Sequence, residues 1–75
     1  MVVRVRAEWD DEAQVWGIWS DDVPGLNIEA DRYEEIRPKA VAAIGDLAEY
    51  SPKIAALAGE PLEIVATAVS RLAFA

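Results

Sequence analysis

The sequence predicts a two-layer α+β domain in the order strand, strand, strand, helix, strand. Three observations predict it. Residues 2–9 alternate apolar with polar and are followed, after a polar run, by a β-branched and aromatic segment. Apolar residues from Tyr33 to Leu47 recur at spacings of three and four. Beyond that helix the chain returns to alternation, which favours a crossover laying the last strand parallel to a neighbour in the sheet. One helix against one sheet face makes two layers.

In the first strand Val3, Val5, Ala7 and Trp9 point one way and Arg4, Arg6 and Glu8 the other. That is the period of a half-buried strand. Asp10-Asp11-Glu12-Ala13-Gln14 is turn-like, and residues 15–20 form the second arm of a hairpin. Setting Trp9 opposite Trp16 puts Ala7 opposite Ile18, Arg6 opposite Trp19 and Arg4 opposite Asp21. The last two pairs are a cation beside an aromatic ring and an ion pair. A slip of one residue would lose this agreement.

Asp21-Asp22-Val23-Pro24-Gly25 is a turn, because proline presets one turn angle and glycine tolerates a positive φ. Leu26, Ile28 and Ala30 then alternate with Asn27 and Glu29 as a third short strand. Asp31 with Glu34 resembles a capping box. The helix that follows carries Tyr33, Ile36, Ala40, Ile44 and Leu47 on one stripe, widened by Val41 and Ala48. Pro38 is expected to kink or restart it. Ser51-Pro52 ends it, and residues 53–58 allow a short helical turn. Residues 62–74 read as a long strand, with Leu62, Ile64, Ala66, Ala68, Leu72 and Phe74 on one face. The frequency of alanine there leaves a helix open as the alternative.

The whole chain, residues 1–75, reads as one domain. It carries 14 acidic and 7 basic side chains, a net charge of −7, which opposes non-specific nucleic-acid binding. An apolar share of 53% argues against disorder. There is no cysteine and no histidine. A disulfide scaffold, a thiolate zinc site and the commonest general base are thereby excluded. No cofactor or metal site is expected. Asp10-Asp11-Glu12 lacks the spaced acids and central glycine of a calcium loop. The adjacent pairs Asp10-Asp11, Asp21-Asp22 and Glu34-Glu35 diverge along a strand or helix and do not share a site locally. No apolar run spans a membrane, and the amino terminus has no signal-peptide core, so a cytoplasmic protein is expected.

Trp9 and Trp16 fall on the face that meets the helix and read as core. Trp19 falls on the outer face, where two readings stand: a binding surface or a ring shielded by Arg6. Val15, Val65 and Val69 share that outer face. A chain this short buries a marginal core, so self-association into a dimer or larger assembly is expected.

Glu8-Trp9-Asp10-Asp11-Glu12-Ala13-Gln14-Val15-Trp16, then Ser20-Asp21-Asp22-Val23-Pro24-Gly25-Leu26, Glu29-Ala30-Asp31 and Glu34-Glu35-Ile36 together resemble the HicB-like family. The likeness covers residues 3 to about 48 and is greatest to short members that are domains of unknown function. It implies a β-β-β-α-β, partial ribonuclease H-like fold and an antitoxin-type role: binding a small basic RNA-cleaving toxin and covering its active site. Longer members add a carboxy-terminal DNA-binding module, for which residues 1–75 leave no room. Charge and exposure, rather than the likeness, single out Trp19, Asp21 and Asp22, with Asp10 and Asp11, as partner-binding residues. A non-catalytic, acidic interaction domain is the expectation; a stand-alone homo-oligomer with a structural or regulatory role is the alternative.

Overall fold

The computed structural model describes residues 1–74. Strand β1 (Val3–Asp10) and strand β2 (Val15–Trp19) form the hairpin, and β3 (Asn27–Ala30) follows. A 3-10 turn (Tyr33–Glu35) leads into helix α1 (Ile36–Ala48), a short helix α2 (Pro52–Ala55) comes next, and β4 (Leu62–Thr67) returns to the sheet. The strand order is β3-β2-β1-β4. The pairs β1–β2 and β2–β3 are antiparallel, and β1–β4 is parallel. The fold is therefore a mixed α+β architecture with an open four-stranded mixed sheet, two helices and the crossover that the element order demands.

The hairpin register agrees with the sequence: Trp9 faces Trp16, Ala7 faces Ile18 and Arg6 faces Trp19. Val3, Val5, Ala7 and Ile18 turn inward and are buried. Ile36 and Ala40 of α1 and Ile54 of α2 pack on them, and Val23, Leu26 and Ala30 complete the same buried cluster. Trp9 and Trp16 stack at a tilt, with ring centroids 5.5 Å apart, and Tyr33 meets Trp16 edge-on at 5.8 Å. Tyr33 is otherwise exposed, so it borders the core instead of heading the helix stripe.

Four local expectations change. The ladder stops at Arg6–Trp19, so Arg4 and Asp21 do not form an ion pair. Arg4 lies between two strands, and its Nε donates to Glu63, its register neighbour on β4. The capping box moves by one residue: the Arg32 N–H donates to Glu35 Oε1 at 3.2 Å, because the 3-10 turn makes the extended Arg32 the cap. Pro38 becomes the third residue of α1, where an N–H has no intrahelical partner, so it costs no helix hydrogen bond. The change of helical type comes before it, at Glu35–Ile36.

The fourth change is at the end of β4. The strand stops at Thr67, and residues 68–74 have no regular structure. Thr67 pairs with Glu8, and beyond Glu8 strand β1 has only Trp9 and Asp10 before it turns. The alternating residues that follow have no backbone to pair with. Leu72 and Phe74, expected on the inner face, are 80% and 88% exposed, and Val69 lies outside the sheet.

Candidate interaction surface

Both helices pack on one side of the sheet. The other side carries Arg4, Arg6 and Glu8 from β1, Val15, Gly17 and Trp19 from β2, Asn27 and Glu29 from β3, and Glu63, Val65 and Thr67 from β4. Register aligns these side chains into rows across all four strands. One row runs Asn27–Trp19–Arg6–Val65. The adjacent row runs Glu29–Gly17–Glu8–Thr67. A half-buried indole thus lies next to a row with two carboxylates, and Gly17 leaves the floor between them without a side chain. A Cβ at Gly17 would meet only the Glu8 carbonyl oxygen, at 3.9 Å, so the glycine opens the surface and does not relieve a clash.

Among the described residues Arg6 does not stack on the Trp19 ring; the only ring contacts are those of Trp16 with Trp9 and Tyr33. The register brings cation and ring together, and the long arginine stem leaves the charge in solvent. Trp19 keeps an accessible edge, half-buried in its row.

The five residues singled out in the sequence do not converge. Asp10 and Asp11 lie at the hairpin tip; Asp21 and Asp22 lie past the other end of β2, with Trp19 near that end. Asp10 Oδ1 accepts the N–H groups of Glu12 and Ala13, both at 3.1 Å, and so closes the tip. Asp11 Oδ1 accepts from Trp9 Nε1 at 3.0 Å. Asp22 Oδ2 accepts the backbone N–H of Arg4 at 2.8 Å. Three of the acids therefore hold turns or strand ends, whereas Asp21 is exposed and Trp19 sits on the open face.

Ser20 ties the same corner together. It is 8% exposed, donates its hydroxyl to the Arg4 carbonyl and accepts the Asp22 N–H at 3.1 Å. Arg4, Arg6, Asp21 and Asp22 line a polar notch of about 80 Å³. The Arg4 guanidinium is held above its usual range, first by its hydrogen bond to Glu63 and then by the charges of Glu63 and Asp22. Glu8 and Glu29 do not stand out in the sequence as site residues. Their signal was the alternation that put both on the outer face, and it needed the cross-strand register to show that they flank one row. Among the described residues no three acidic side chains gather as a metal site would need. No helix among them is long and apolar enough to cross a membrane.

No curated protein matches the chain. A crystal structure of a hypothetical protein, TTHA1013, from the extremely thermophilic bacterium Thermus thermophilus is similar, with 39% sequence identity and a TM-score of 0.66. The match covers 99% of this chain and 100% of that one. The family model DUF1902, a domain of unknown function, matches residues 2–75, and the chain belongs to that family.

Proposed function

We propose that this chain is a non-catalytic, HicB-like interaction domain of antitoxin type, which binds and neutralises a small basic RNA-cleaving toxin. In this reading the β-β-β-α-β order belongs to a partial ribonuclease H-like fold that has become a binding platform. The observation that carries it is the outer sheet face: Trp19 in its row beside Glu8 and Glu29, with no helix over it. Tryptophan is among the residues that supply most binding energy at protein interfaces. A net charge of −7 steers a basic partner toward the chain and speeds encounter. With neither histidine nor cysteine in the sequence, the face offers contact and charge in place of a nucleophile and its base.

Co-expression with a small basic nuclease encoded beside this chain tests the reading. The expected result is restored growth and co-elution of the two proteins, both lost in Trp19→Ala. Absence of rescue together with absence of a complex contradicts it.

A second reading, a stand-alone homo-oligomer with a structural or regulatory role, is favoured by one specific observation: the apolar residues Val69, Leu72 and Phe74 are exposed. It predicts self-association and an unchanged growth phenotype in the same co-expression.

A further inference from the structure

Strand β4 is an edge of the sheet, and residues 68–74 after it overhang the end of its partner β1. The chain is correspondingly extended. Its radius of gyration is 13.8 Å, against about 11 Å for a compact domain of this length. It exposes 5508 Å². A compact monomer of its mass exposes about 4,500 Å² by surface scaling. The excess, roughly 1,000 Å² per chain, exceeds the about 800 Å² per partner that a stable specific interface buries.

Beside this edge, on the helix side, lies an apolar groove of about 320 Å³ lined chiefly by Val3, Ile44, Ala48, Ile54, Leu57 and Leu62. That is roughly twice a cavity of about 150 Å³ that holds a benzene ring. Leu62 and Ile64 face the same side as Val3 and Val5, their register partners. Continued alternation gives Ala68, Ser70, Leu72 and Phe74 that same side.

We infer that a second copy of this chain covers this edge, its residues 68–74 running antiparallel along β4 about a two-fold axis at Ala68. In that register Phe74 lies opposite Leu62, Leu72 opposite Ile64 and Ser70 opposite Ala66. Every pair falls on one face, as antiparallel pairing requires. The Phe74 ring of each copy enters the groove of the other, and the open edges of both sheets are paired. The axis makes the interface self-complementary and closed, so assembly stops at the dimer. The tail has the alternation of a strand because it is one, completed by the second chain. This inference is independent of the antitoxin reading and stands whether or not a toxin partner exists.

Light scattering on the full chain at micromolar concentration tests it, with Phe74→Asp and Ala68→Cys as variants. The wild type is expected at twice the 8.2 kDa chain mass. Phe74→Asp is expected at 8.2 kDa with its cooperative melt retained, since the side chain it replaces is exposed within one chain, and with less strand signal in circular dichroism, because residues 68–74 lose their partner. Ala68→Cys, the only cysteine in that variant, is expected to give a disulfide-linked pair on oxidation, because the axis brings the two copies of residue 68 together. A monomeric wild type overturns the inference. So does a dimer that survives Phe74→Asp, and so does failure of Ala68→Cys to cross-link in a dimeric sample.

Discussion

Asp22 accepts the backbone N–H of Arg4 at 2.8 Å, and this contact closes the β1–β2 ladder where its backbone pairing stops. The next pair in register would be Arg4 with Asp21. The bend after Ser20 carries the β2 backbone away, and two side chains take over its hydrogen bonding. Asp22 receives the Arg4 N–H and Ser20 donates to the Arg4 carbonyl. An acid that the sequence offers for docking is thereby committed to the fold, while its neighbour Asp21 stays exposed.

Asp22→Ala is expected to lower unfolding free energy by about 0.5–1.5 kcal/mol, the net worth of a hydrogen bond whose exposed donor water can then reach. Asp21→Ala is expected to stay within about 0.5 kcal/mol of wild type, as exposed substitutions do. Urea denaturation of the two variants checks the division. Equal losses would remove it.

Ser20→Ala is expected to cost about 1–2 kcal/mol, because the buried hydroxyl both donates to Arg4 and accepts from Asp22. Combined with Asp22→Ala, the loss should fall short of the two single losses added together, by about 0.5 kcal/mol or more, since both act on one network. A double-mutant cycle with strictly additive energies would show that the two contacts are separate.

The two glycines that meet α1 should respond in opposite directions. Gly25 has φ +92°, a conformation that strains any residue with a Cβ, so Gly25→Ala is expected to destabilise by about 1–2 kcal/mol. Gly45 lies inside α1 with nothing within 4 Å of an added Cβ. Gly45→Ala is expected to stabilise by about 0.5–1 kcal/mol. Thermal melts of both variants read the signs.

The hairpin is legible because setting Trp9 opposite Trp16 fixes one register, which puts Ala7 opposite Ile18 and Arg6 opposite Trp19 as observed, although the Arg4–Asp21 pair it also implies does not form. The crossover to β4 was legible from element order alone. Three features were not. Ser20 and Asp22 hold Arg4 across 16 and 18 residues, through side chain to backbone bonds that leave no periodic trace. Arg4 chose Glu63 over Asp21 because strand pairing on its far side, invisible in the hairpin, supplied a nearer carboxylate. The end of β4 within one chain is not legible, because alternation records which way side chains point, not whether a backbone of the same chain exists to pair with. For the candidate face, Trp19 was legible from its parity. Glu8 and Glu29 became its neighbours only once β3 and β1 were set on either side of β2.

Glu8→Lys and Glu29→Lys together reverse the charge of the row beside Trp19 without touching the core, since both residues are exposed. Stopped-flow association with a basic partner is expected to slow by about tenfold or more at low salt, with little difference at high salt. A changed dissociation rate at an unchanged association rate would assign these acids to contact instead of steering.

Cleavage of RNA by a basic nuclease encoded beside this chain is the most direct measurement. Titration with the purified chain is expected to abolish cleavage at a fixed stoichiometric ratio, and Trp19→Ala is expected to restore it while the variant keeps its melting transition. Cleavage that proceeds unchanged in excess wild-type chain would contradict the account.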